Sequence, residues 1–216
     1  MNIYKIAVDG PAGSGKSTIA KIIAKKLNIM YLDTGAMYRA IAYKILNKNI
    51  KIENINDIVD MMKNTKILFD KDIIFLDGIN VSKEIRMPNV SNFVSKVASI
   101  KEVREHLVKL QTNIANNNSV IMDGRDIGTV VLKDAQFKFF LNASIKERAN
   151  RRYKEMIEKK IEVDFDNIYK EISQRDLADI NRKESPLAKA SDAIEIDTST
   201  MNIDEVVLKL LSIINN

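Results

Sequence analysis

The run Ile3-Tyr4-Lys5-Ile6-Ala7-Val8 is short, apolar and rich in branched residues, and it ends at a glycine-rich turn. Beyond the turn, Ile19, Ile22, Ile23 and Leu27 recur at helical spacing, so the chain opens with strand, loop and helix. The alternation then repeats. Residues 30–33 predict a short strand, 35–47 a helix, and 120–123, 137–141 and 193–197 further strands. Five strands separated by helices imply an α/β fold, a parallel sheet with helices on both faces.

Between residues 66 and 81 the apolar stretches lie too close together for intervening helices, which predicts a small antiparallel insert outside the core sheet. Its turns fall at Asp70-Lys71-Asp72 and at Asp77-Gly78, a two-residue hairpin signal. Pro88 marks the return to helices, one from about residue 89 and another over 101–116. Residues 144–160 read as a strongly charged helix, 166–181 as a second, with a turn over 161–164 between them. Val206, Val207, Leu210, Leu211 and Ile214 form the stripe of an amphipathic closing helix.

Composition narrows the chemistry. The 216 residues, 45% apolar, suit one large unit with a packed core. A net charge of +5 favours anionic ligands but falls short of a dedicated nucleic-acid binder. With no Cys and one His, His106, a metal must be held by oxygen. The N-terminus enters a strand within two residues and no apolar run reaches a membrane span, so the reading is cytoplasmic with no membrane partner.

The octet Gly10-Pro11-Ala12-Gly13-Ser14-Gly15-Lys16-Ser17 matches G-x-x-x-x-G-K-[ST] at every position, between a strand and a helix as its mechanism requires. Such a loop turns successive N–H groups toward phosphate oxygens, aided by the positive end of the following helix. Lys16 is placed to reach the β- and γ-phosphates of ATP, and Ser17, with Thr18 beside it, to offer a hydroxyl to Mg²⁺. A switch GTPase would carry a base-reading Asn-Lys-x-Asp stretch, and none stands at a suitable place. Asp123 closes an apolar strand, where P-loop proteins place the acid that orients Mg²⁺ through water.

Asp33-Thr34-Gly35-Ala36-Met37-Tyr38-Arg39 and Asp123-Gly124-Arg125-Asp126-Ile127-Gly128-Thr129, with the late segment from Arg175 to Arg182, resemble the signatures of the bacterial cytidylate kinase family over essentially the whole length. The resemblance implies a nucleoside monophosphate kinase that uses ATP and Mg²⁺ to phosphorylate CMP or dCMP, as a monomer. It also implies three parts: a core over about 1–60, 100–145 and 182–216, an acceptor-binding insert over about 61–99, and a lid with its adjoining helix over about 146–181.

On that resemblance Thr34 and Arg39 hold the acceptor phosphate, although a plain helix cap and a surface cation would read the same way. Thr stands where the family more often has Ser, which keeps the hydroxyl. Arg125 bridges acceptor and γ-phosphoryl group, and Asp126 accepts from the cytosine amino group but would face an acceptor on uracil. Ser95 and Arg104 are the other base-reading positions; nine residues apart, they need a helix break near 99–101 to face one base. Arg175, Asp179 and Arg182, at i, i+4 and i+7, share one helical face, as pentose and phosphate contacts or as a surface ladder.

Arg148, Arg151 and Arg152 cluster on the charged helix and resemble lid arginines, with Arg148 and Arg152 expected on ATP. Glu147, Glu155 and Glu158 offer them an ordinary solvated alternative. The expected catalytic set is Lys16, Asp123, Arg125 and Arg182. The competing readings are another small-molecule P-loop kinase, such as a shikimate or dephospho-coenzyme A kinase, and a nucleotide-binding regulatory module that engages nucleic acid.

Overall fold

The computed structural model describes residues 3–70, 72–158 and 160–215. Five strands build the core sheet: β1 (Lys5–Asp9), β2 (Met30–Asp33), β6 (Val120–Gly124), β7 (Phe137–Asn142) and β8 (Ile194–Asp197). They run parallel in the order β2-β6-β1-β7-β8, and each sequence-predicted strand falls within two residues of its place. The central strands run apolar through their middles, Ile6–Val8 and Val120–Met122, because both of their faces are covered. Ile6, Val8 and Ile121 pack against α1 (Lys16–Leu27) and α8 (Ile203–Ile214), whereas Ala7, Val120 and Met122 face the opposite layer.

That opposite layer is α2 (Thr34–Asn47), α3 (Ile55–Lys63), α4 (Pro88–Ala98) and α5 (Lys101–Asn117). The nine-residue α3 escaped the sequence reading: it carries Ile58, Met61 and Met62 inward but lies between polar stretches that resemble loop. The antiparallel insert forms as expected, in the order β3-β4-β5, from β3 (Ile67–Asp70), β4 (Ile73–Leu76) and β5 (Ile79–Asn80). Its hairpin turn at Asp77-Gly78 has φ of 53° and 85°, the doubly left-handed geometry of a type I′ turn. The other expected turn includes Lys71, which lies outside the described residues, as does Lys159 in the expected charged helix.

The charged helix is α6 (Ile145–Glu158), packed against α7 (Phe165–Ile180) through Ala149, Ile168 and Ile172. Since α7 ends at Ile180, Arg182 stands beyond it and does not share a helical face with Arg175 and Asp179. Asn181 follows the helix, and the Arg182 guanidinium instead donates to the carbonyls of Glu184 and Ser185. Among the described residues no helix is long and apolar enough to cross a membrane.

Candidate active site

Register brings the two richest motifs together. Val8 lies opposite Asp123 and Asp9 opposite Gly124, so the phosphate loop after β1 and the Arg125-Asp126 turn after β6 leave neighbouring carboxyl ends of the sheet. Asp33, on the other side of β6, pairs with Asp123, which brings the start of α2 to the same edge. Open α/β sheets bind ligands at this edge. A cleft of about 410 Å³ opens there, with Ser17, Thr18, Asp33, Arg39 and Arg86 in its wall.

The phosphate loop requires glycine for a steric reason: a Cβ on Gly10 would lie 2.0 Å from the Leu141 carbonyl oxygen, and φ is 147° there. Lys16 is 5% exposed, and its Nζ donates to the Pro11 carbonyl at 2.6 Å and the Ser14 hydroxyl at 3.2 Å. Burial, reinforced by the Arg125 charge, holds its pKa well below the ordinary lysine range. An anion in the loop would reverse that shift.

Ser17 donates to Asp123 Oδ2 at 2.6 Å and Tyr31 to Asp123 Oδ1 at 2.8 Å. Burial and the nearby Asp33 push the Asp123 carboxyl above its usual range, against these two hydrogen bonds. Asp9, immediately before the loop, accepts from the N–H groups of Ile127 at 2.8 Å and Gly128 at 2.7 Å. It thereby holds the π-helical turn Ile127–Val131 behind Asp126, and burial raises its pKa to about 6.

Asp33, rather than Thr34, caps α2, accepting from the Ala36 N–H at 2.8 Å. Thr34 donates to the Asp123 carbonyl at 2.7 Å, and Arg39 is held by Asp33 at 2.9 Å with its Nε buried and unpartnered. The break between α4 and α5 falls at residues 99–100. It allows Arg104 to turn inward, where it pairs with Asp126, donates to the Ala98 carbonyl at 3.2 Å and lies 5.5 Å from the Tyr38 ring. Ser95 is half-buried on α4 and hydrogen-bonds neither of them.

Arg125 Nε donates to Asp179 Oδ2 at 2.7 Å, which ties the turn after β6 to α7. Burial raises the Asp179 pKa, but the Arg125 charge and hydrogen bond, with Arg175, outweigh it and hold the carboxyl below its usual range. Arg175 is half-buried, with its Nε out of solvent and unpartnered, and desolvation, then Arg125, bring its pKa down to about 10. Arg182 is also lowered by burial and by Arg104, so Arg104, Asp126 and Arg182 share one electrostatic neighbourhood. Guanidinium groups held this close repel one another until an anion sits among them.

The arginines on α6 separate. Arg152 is exposed, and Arg151 donates to Glu147 at 3.2 Å and to the hydroxyl and carbonyl of Thr198. Arg148 is 3% exposed and is engaged by the carbonyls of Ala12 and Ala143, both at 2.8 Å, and by Asp176 at 2.6 Å. Of the expected trio, Arg148 turns under the loop and holds it, and Arg151 Nη1 stands beside Gly15, 3.9 Å from where a Cβ on that residue would lie.

Three residues were missed by the sequence reading. Asp9 carried a signal, a lone carboxylate at the end of an apolar strand directly before Gly10. Tyr31 carried only its alternation on a four-residue strand. Tyr38 stands inside its motif with no local sign of a role, yet its hydroxyl is buried without a partner and burial raises its pKa to about 12.

The cytidylate kinase family model matches residues 6–216. A cytidylate kinase of Clostridium perfringens (strain SM101) is 55% identical over 210 residues, covering 97% of each chain. One of Caldicellulosiruptor saccharolyticus is 51% identical over 217 residues, covering 99% of this chain and 96% of its own. Among solved structures, a shikimate kinase from Bacteroides thetaiotaomicron matches at a TM-score of 0.52 with 14% identity over all of both chains. An uncharacterized protein from Eubacterium ventriosum matches at 0.55 with 13% identity, covering 99% of each; at such identities the likeness is one of fold. With the phosphate loop, the Asp33–Arg39 and Asp123–Thr129 segments and near-complete coverage in agreement, the chain belongs to the cytidylate kinase family.

Proposed function

We propose that this chain transfers the γ-phosphoryl group of ATP to CMP or dCMP, giving ADP and the nucleoside diphosphate. The observation that carries this reading is the meeting, at one sheet edge, of a complete phosphate loop with two carboxylate-arginine pairs, Arg104–Asp126 and Arg125–Asp179. ATP would lie with its phosphates in residues 10–18. The acceptor phosphate would meet Thr34, Arg39, Arg125 and Arg182, its pentose Arg175 and Asp179, and its base Ser95, Arg104 and Asp126. Tyr38 Oη, buried and unpartnered, adds a polar group facing the Arg104 side of this pocket.

An acceptor phosphate has a second pKa of about 6, so at neutral pH its oxygen attacks without a general base. That oxygen bonds to the γ-phosphorus as the bond to the β-bridging oxygen breaks. The protein's part is to align two polyanions and to neutralise them, through Lys16, Arg39, Arg125 and Arg182. The Ser17 hydroxyl and the Asp123 carboxylate, 2.6 Å apart, are an all-oxygen donor pair that suits Mg²⁺, with Asp123 acting through water. A Mg²⁺ ion held there would offset negative charge on the phosphate oxygens. The helices of 146–181 form the lid that excludes water.

Asp126 tests the base assignment. Asp126→Asn presents an amide that can donate, so CMP turnover is expected to fall by about 10-fold or more while the CMP-to-UMP ratio narrows. Initial rates with each acceptor decide it; an unchanged ratio would take Asp126 out of the base site. The variant keeps an oxygen for Arg104, so the comparison stays on a folded chain.

A further inference from the structure

A densely hydrogen-bonded polar cluster lies beneath the phosphate loop. The peptide units of Ala12 are gripped from both ends: Arg148 donates to the Ala12 carbonyl at 2.8 Å, and Asp176 Oδ1 accepts from the Ala12 N–H at 3.3 Å. The two side chains pair with each other at 2.6 Å and are only 4% and 9% exposed, while Arg148 Nε anchors to the Ala143 carbonyl at the end of β7. A buried ion pair persists only when its remaining hydrogen-bonding capacity is satisfied, and here the loop backbone satisfies it.

Asp176 has a particular place on α7. It directly follows Arg175 and stands one turn before Asp179, whose carboxylate holds Arg125 at 2.7 Å. One helix therefore carries, within five residues, a hold on the phosphate loop and a hold on the arginine between the two substrates. Arg148 adds α6 and the end of β7 to the same junction. The loop and the acceptor turn are also linked through the sheet, by way of β1, β6 and Asp9, and through the Ser17–Asp123 hydrogen bond.

We infer that Arg148 and Asp176 are positioning residues that set the distance between the triphosphate loop and the acceptor-binding arginines by clamping the Ala12 peptides to α7. The inference rests on the proposed phosphoryl transfer. Neither residue touches a reacting atom; the pair acts by fixing where Arg125 stands relative to Lys16. Because in-line transfer tolerates little misplacement, loosening the clamp lowers turnover while leaving each half-site able to bind.

The test compares Arg148→Met, Arg148→Lys and Asp176→Asn with the parent chain, measuring kcat and both KM values with whichever acceptor the parent uses. The expected result is a kcat about 10-fold or more lower in Arg148→Met and Asp176→Asn, with KM for ATP and for the acceptor within about threefold. Arg148→Lys is expected to share the defect, since one ammonium can face Asp176 but cannot also serve both carbonyls. Asp176→Asn, nearly isosteric and still able to accept from Ala12, decides the matter if Arg148→Met does not fold. The inference is overturned by a kcat within about threefold of the parent in folded Asp176→Asn, by full rescue with lysine, or by a rise in the KM for ATP with kcat retained. A parent that turns over only an acceptor other than CMP or dCMP refutes the proposed substrate yet still tests the clamp, whereas one that turns over no acceptor removes both.

Discussion

Lys16→Met is expected to lower kcat by about 10³-fold or more, equivalent to about 4 kcal/mol of lost transition-state stabilisation. The side chain sits inside the curled loop, 2.6 Å from the Pro11 carbonyl, with no bulk water to substitute for it. Its charge is needed where negative charge moves from the γ-phosphoryl group toward ADP, and nothing else in the loop supplies a full positive charge. The same substitution is expected to leave CMP affinity unchanged and not to lower the melting temperature without ATP. Burial has already pushed the Lys16 pKa down, so the folded state binds this proton less tightly than the unfolded chain does. Parent stability therefore rises with pH between the lowered value and the ordinary lysine range, and the variant lacks that rise. A kcat loss below about 10-fold would take Lys16 out of the transfer step.

Arg125→Met is expected to cost about 10²- to 10³-fold in kcat, and Arg125→Lys to recover little of it. Its Nε is committed to Asp179 at 2.7 Å, which orients the rest of the guanidinium fork within the electrostatic reach of Lys16 and Arg175. A lysine ammonium can keep the Asp179 pairing or turn to a phosphate, but it cannot present the planar fork to both. The readout is single-turnover transfer beside acceptor binding. Intact transfer with weakened acceptor binding would reduce Arg125 to a binding residue.

How far the sequence reached depended on how local each feature was. The phosphate loop was legible at every position because its backbone demands are written in glycines, and the five strands because their apolar runs stop at turns. The Asp77-Gly78 hairpin was legible for the same reason. Residues whose roles come from register were not. Nothing local says that Asp9 will meet the N–H groups of Ile127 and Gly128, or that Tyr31 will meet Asp123. Arg148 shows the limit most clearly. Its spacing from Arg151 and Arg152 placed it on a charged helical face, but only the packing of α6 against the loop reveals that this arginine is buried on Ala12 and Asp176. The i+7 spacing puts Arg182 on a helix that in fact stops at Ile180, since helix ends depend on what the last carbonyls find to bind.

The central claim, phosphoryl transfer from ATP to a cytidine monophosphate, is tested most directly by ADP formation with Mg-ATP against CMP, dCMP, UMP, AMP, GMP and shikimate, with Lys16→Met as the blank. Rapid turnover is expected with CMP and dCMP, little with the other acceptors, and little hydrolysis of ATP alone. Turnover confined to another acceptor, or fast hydrolysis of ATP without any acceptor, would contradict it.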